Sequence, residues 1–159
     1  MRQTNVSTKP MFKNAIWSMT AAVILIGAIL IYQKPSVAAD VVVYKSPTCG
    51  CCNSWIKHMQ KNGYTIEAYN STDMQKGKNK IGVPSKLASC HTAIVGGYVI
   101  EGHVPADVIA RLLKEKPAIK GLAVPGMPMG SPGMEGPTKD PYDVVTFDEN
   151  GKTSVFAKR

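Results

Sequence analysis

From Ala15 to Tyr32 the chain is almost wholly apolar; beyond it, apolar positions recur in short runs separated by polar, Gly and Pro residues. Asp40 to Ser46 is a β-branched run closed by Ser46-Pro47 and predicts a buried strand. After Thr48-Cys49-Gly50-Cys51-Cys52, the residues Trp55, Ile56, Met59 and Gln60 fall at helical spacing, and Asn62-Gly63 supplies a stop. Tyr64 to Tyr69 reads as a second strand and Asp73 to Ile81 as a weak helix. Thr92 to Val95 and Tyr98 to Glu101 flank Gly96-Gly97, a hairpin signal. Pro105 to Lys114 carries Val108, Ile109, Leu112 and Leu113 on one helical face, with Pro105 at its start. Gly121 to Pro137 is rich in Gly, Pro and Met and has little regular pattern. Tyr142 to Phe147 and Lys152 to Phe156 then alternate around Asn150-Gly151, a second hairpin.

The order β-α-β-α-β-β-α predicts the α/β class and a thioredoxin-like mixed sheet with flanking helices, followed by a Met/Gly/Pro-rich loop and a C-terminal β-hairpin. The opening segment has a different purpose. Arg2, Lys9 and Lys13 precede the apolar run, Gln33-Lys34-Pro35 breaks it, and Val37-Ala38-Ala39 sets small residues before Asp40. That is the pattern of a secretory signal, while an apolar run of this length also suits an uncleaved membrane anchor. Either reading exports the rest of the chain from the cytoplasm, to a compartment where disulfides persist. The expected organisation is residues 1–39 as signal or anchor, 40–120 as a thioredoxin-like domain, and 121–159 as loop and hairpin packed on that domain. The membrane is involved only through the first segment, if it is retained.

Charge changes the picture little. The net charge is +8, but four of the nineteen basic residues and none of the eleven acids lie before residue 40. Fifteen bases against eleven acids remain, a net of +4 with the lysines scattered, and this excludes a nucleic-acid footprint. Lys76, Lys78 and Lys80 fall together and read as a solvated surface.

The candidate chemistry lies in three stretches. Cys49 and Cys52 are spaced C-x-x-C between a strand and a helix, where unpaired amides and the positive end of the helix dipole stabilise a thiolate. As a redox pair, Cys49 would attack and Cys52 would resolve. Cys51 is a third thiol that a disulfide enzyme does not need; it suggests metal or a spare thiol, against the plainer reading of structural disulfides. Cys90-His91 stands just before the strand from Thr92, where thioredoxin folds carry a proline that shields the thiols. A Cys and a His there offer two ligands, unless Cys90 is a small core residue and His91 faces solvent. His103 lies in Glu101-Gly102-His103-Val104-Pro105, and His58, on the first helix, reads as surface. Met127, Met129 and Met134 share a Gly/Pro loop; thioether is a soft ligand suited to Cu(I), although methionines also serve as flexible caps on a sheet.

Taken together, Cys49-Gly50-Cys51-Cys52, Ser89-Cys90-His91-Thr92, Glu101-Gly102-His103-Val104-Pro105 and Gly126-Met127-Pro128-Met129-Gly130-Ser131-Pro132-Gly133-Met134-Glu135 resemble the CopG-like family of bacterial copper-resistance proteins. The resemblance runs from about Val42 to Glu135. It implies a thioredoxin-like fold, copper binding in the periplasm at a cysteine-centred site for several ions, and redox activity. The sequence expectation is therefore a periplasmic copper-binding protein of copper resistance. Its Cu(I) ligands are drawn from Cys49, Cys51, Cys52, Cys90, His91, His103, Met127, Met129 and Met134, with zinc as the rival ion. Its expected partners are copper ions and other periplasmic copper-handling proteins, with no nucleic acid. The alternative is a thiol–disulfide oxidoreductase using Cys49 and Cys52 as catalytic residues.

Overall fold

A computed structural model describes residues 40–159; the expected export segment lies outside the described residues. The elements run β1 (Val41–Lys45), α1 (Gly50–Lys61), β2 (Ile66–Asn70), α2 (Met74–Lys80), a 3-10 turn (Ser85–Leu87), β3 (His91–Val95), β4 (Tyr98–Glu101), α3 (Ala106–Glu115), β5 (Gly121–Ala123), β6 (Asp143–Phe147) and β7 (Thr153–Lys158). The strands form one mixed sheet in the order β2-β1-β3-β4-β5-β6-β7. β1 runs parallel to β2 and antiparallel to β3, and β3 pairs antiparallel with β4. These four strands with α1, α2 and α3 make the thioredoxin-like unit that the sequence predicts.

The fold departs from the sequence reading at β5. Gly121–Ala123 falls in the stretch without regular pattern, yet it pairs parallel to β4 and antiparallel to β6, and so carries the hairpin β6–β7 into the same sheet. Glycine at 121 is required by close approach: a Cβ there would stand 1.9 Å from the Val99 carbonyl oxygen. The β3–β4 turn is built on Gly96 and Gly97 with φ of 54° and 87°, the two positive values that a tight hairpin needs.

Alternation along the strands gives the sheet two buried faces. One packs Val41, Val43, Ala93, Val95 and Ile100 against Trp55 and Met59 of α1 and Val108, Ile109 and Leu112 of α3. The other packs Val99, Ala123 and Phe147 against Val83 and Leu87 of the segment after α2. This second face also holds the residue furthest from its sequence expectation. Lys78, read as solvated, is 3% exposed; its Nζ lies 2.5 Å from Glu101 Oε1 and 2.7 Å from Thr92 Oγ1. Among the described residues no helix is long and apolar enough to cross a membrane.

Candidate metal centre

The site forms where three chain segments meet at one end of the sheet. Cys49 is the N-cap of α1 and its Sγ accepts from the Cys52 backbone N–H at 3.3 Å, so the sulfur sits on the helix's unpaired amides. Cys52 points into the core at 0% exposure and is disulfide-bonded to Cys49. Cys51 and Cys90 are free thiols, both half-buried. Cys51 Sγ lies 3.5 Å from Cys49 Sγ and 3.8 Å from Cys90 Sγ. The sulfurs of Cys49, Cys51, Cys52 and Cys90 are all within 4.8 Å of one another.

A second group overlaps the first. Ligand atoms of Cys90, His91 and His103 also lie within 4.8 Å of one another. Cys90 Sγ is 3.0 Å from His103 Nε2 and 3.4 Å from His91 Nδ1. Both imidazoles are fully buried. The His91 ring lies 4.5 Å from the Trp55 ring and 5.0 Å, edge-on, from that of His103. Trp55 is itself anchored, its Nε1–H donating to the Val104 carbonyl at 2.9 Å.

The Met-rich loop closes over this end of the sheet through its backbone. His103 Nδ1–H donates to the Pro132 carbonyl at 2.7 Å. A carbonyl only accepts, so the proton is on Nδ1 and the lone pair of Nε2 faces Cys90, the arrangement in which an outer partner orients a metal-binding histidine. Gly133, with φ of +86°, leaves no room for a side chain: a Cβ would stand 2.7 Å from both the Cys51 carbonyl oxygen and the Trp55 amide nitrogen. Of the loop's thioethers, Met127 is 41% exposed, Met129 packs its Sδ toward Gly136, and Met134 is half-buried and hydrogen-bonded through its backbone to Gly130 and Ser131.

Electrostatics favour neutral imidazole. Burial lowers the pKa of His103 despite the Pro132 hydrogen bond, and burial lowers that of His91 well below its usual 6.5, with His103 and Lys78 adding to the effect. Neutral imidazole is the metal-binding form. Burial, with Cys51 alongside, pushes the Cys90 thiol up to about 12; without a cation it holds its proton, and a metal must displace it.

Comparison with known proteins follows the same stretches. The family model described as "Protein of unknown function, DUF411" matches residues 87–134, from the turn before Cys90 to Met134. Two solved structures, forms 1 and 2 of copper resistance protein copG, are each 44% identical with a TM-score of 0.71; they match 75% of this chain and 96% (form 2) or 95% (form 1) of their own. The chain belongs to the CopG-like copper-resistance family. No curated protein gives a match.

The donor set in this CopG-like chain fits a soft ion. The two groups offer sulfur and imidazole and no carboxylate, whereas Mg²⁺ and Ca²⁺ require oxygen. His91 turns Nδ1 to Cys90, and its Nε2 is buried with no hydrogen-bond partner, so the protein alone leaves this imidazole unsatisfied.

Two features of the site lie beyond the sequence reading: the backbone contacts of Pro132 and Gly133, and His58. Read as surface, His58 is half-buried and its Nε2 accepts the Ala106 N–H at 3.1 Å, capping α3, whose N-cap Pro105 has no side-chain acceptor. Replacing His58 with Leu is expected to lower unfolding free energy by about 1 kcal/mol, the usual worth of a cap, and to leave metal stoichiometry unchanged. The cap needs a neutral imidazole. Burial depresses the folded pKa below 6.5, so the stabilisation is complete above pH 6.5 and lost as pH falls through the folded value. Denaturant midpoints between pH 7.5 and 5 check this: His58→Gln keeps an acceptor without the titration and should show the shallower fall.

Proposed function

We propose that this protein is an exported copper-binding protein that holds Cu(I) in the periplasm as part of copper resistance. The observation that carries the reading is the sharing of Cys90 between a four-sulfur group and a Cys-His-His group, with no carboxylate in either. Thiolates select Cu(I), and a bridging thiolate lets neighbouring ions share one small site. In this reading Cys49, Cys51, Cys52 and Cys90 are the sulfur ligands and His91 and His103 the nitrogen ligands. Met127, Met129 and Met134 are a thioether arm on the covering loop. Copper ions are the cargo, and other periplasmic copper-handling proteins deliver or remove them. Cys49 and Cys52 serve as thiolates only after their disulfide has taken up two electrons from a thiol reductant, so loading follows reduction.

The test is metal analysis of the protein offered Cu(I) under reducing conditions, with zinc in parallel. Copper is expected to be retained through gel filtration and to outcompete zinc. The triple variant M127L/M129L/M134L keeps apolar bulk and removes thioether. It is expected to weaken Cu(I) binding about tenfold, the lower end of what a metal's outer partners contribute, and to leave zinc binding unchanged. Wild-type copper binding in that variant would make the loop a cap and not an arm.

The disulfide at the start of α1 favours one other reading, a thiol–disulfide oxidoreductase. That activity needs Cys49 and Cys52 alone. A C51S/C90S protein that reduces disulfides as fast as wild type, together with a wild type that holds no copper, would replace the first reading with the second.

A further inference from the structure

Lys78 and Glu101 form a charged pair, 3% and 0% exposed, on the sheet face opposite the metal centre. A buried ion pair is a poor way to gain stability, since well-packed apolar residues of similar volume do as well or better. The contacts of this pair suggest another purpose. Glu101 Oε1 accepts from Lys78 Nζ and from the Ser89 backbone N–H, each at 2.5 Å, and Oε2 accepts from Thr92 Oγ1 at 2.6 Å. The three donors come from α2, from the residue immediately before Cys90, and from β3. Glu101 ends β4, two residues before His103.

Strand alternation converts this anchor into site geometry. Thr92 pairs with Glu101 across β3 and β4 and turns its hydroxyl toward α2. His91, one residue earlier, turns to the other face, against Trp55. Beyond the anchor, the Gly102 N–H donates to the His91 carbonyl at 3.0 Å, and a Cβ on Gly102 would stand 2.6 Å from Ser89 Oγ. The segments bearing Cys90, His91 and His103 are therefore pinned from behind at Ser89, Thr92 and Glu101.

We propose that Glu101, charge-balanced by Lys78, is a positioning residue for the metal centre: it fixes the Ser89–Cys90 segment and the end of β4 so that Cys90, His91 and His103 converge. The metal role of those three rests on the function proposed above; the placement of Cys90 does not. The test therefore uses metal-free full-length protein with the Cys49–Cys52 disulfide intact. The alkylation rate of Cys90 by iodoacetamide is resolved by peptide mass spectrometry, with Cys51 as internal reference. In K78M/T92V/E101M, an apolar replacement of the whole network, the Cys90-to-Cys51 rate ratio is expected to rise about tenfold as the segment is freed to open locally, with the thermal midpoint near that of wild type. K78M/E101Q keeps an acceptor for the Ser89 N–H and is expected to restore the wild-type ratio. A folded triple variant with the wild-type ratio would reduce the pair to a structural element. Should the triple variant fail to fold, amide exchange in wild type decides. Ser89 N–H is expected to be protected like the amides of β3, and exchange at the rate of an unstructured amide would overturn the proposal. Copper bound per chain is measured alongside: a wild type that binds none removes the functional reading and leaves the alkylation result standing.

Discussion

Replacing Cys90 with Ser is expected to cause the largest loss of copper binding of any single substitution. Cys90 is the one residue common to both ligand groups, with Cys51 Sγ at 3.8 Å on one side and His103 Nε2 at 3.0 Å on the other. Serine is close in size and leaves packing nearly intact, but its hydroxyl is a hard ligand that stays protonated where a thiol yields to Cu(I). On the proposed reading both groups lose a ligand at once, so affinity should fall by more than about 100-fold, the upper end of what outer partners alone are worth. Cys51→Ser removes a ligand from the four-sulfur group only and should fall less. Competition against a chromophoric Cu(I) chelator, with bound copper counted by metal analysis, separates the two. Equal losses in the two variants would mean that Cys90 bridges nothing. Undiminished binding in Cys90→Ser would place the copper elsewhere.

Gly133→Ala is the second large effect, and it reaches the site through backbone alone. The left-handed φ costs a side chain roughly 1 kcal/mol or more, and the obstructing atoms are the Cys51 carbonyl and the Trp55 amide inside α1, which cannot rotate away. The loop has to lift, and lifting it parts the Pro132 carbonyl from His103 Nδ1. The imidazole then loses the bond that fixes its tautomer. We expect a stability loss of about 2–4 kcal/mol together with a 10- to 100-fold loss of copper affinity, since an outer hydrogen bond to a metal-binding histidine is worth roughly that. Gly126 is the control: its φ is +74° but a Cβ there meets nothing within 4 Å. Gly126→Ala should cost about 1 kcal/mol from strain and leave copper binding unchanged. Identical behaviour of the two variants, by denaturant unfolding and chelator competition, would mean that the loop does not order the site.

The thioredoxin-like unit was legible because its signals are local. A β-branched run, a cysteine motif and a helical stripe follow one another within about twenty residues, and Gly96-Gly97 announces its own hairpin. The convergence of Cys90 on the first three cysteines was legible from where that fold places the start of its third strand. Other features carry no local signal. A lysine among polar residues looks solvated, and the partner that buries Lys78 is 23 residues further on. Three residues, Gly121 to Ala123, are too few to show alternation. Pro132 acts through its carbonyl and Gly133 through a missing side chain, so neither residue type points to its target. His58 sits on a helix face that looks exposed until α3 is laid against it.

The covering loop leaves β5 and returns in β6, and those strands are already neighbours in the sheet. Its two ends are therefore held whether or not its middle touches the metal centre. Lifting that middle breaks the His103–Pro132 hydrogen bond and the Gly133 contact while every strand pairing stays in place. Opening the centre is in this sense a sub-global event with its own free energy, separate from unfolding. Release of a bound ion should then keep time with the loop and ignore the fold: a core substitution such as Val99→Ala, on the far face of the sheet, should lower the melting temperature without hastening the ion's departure.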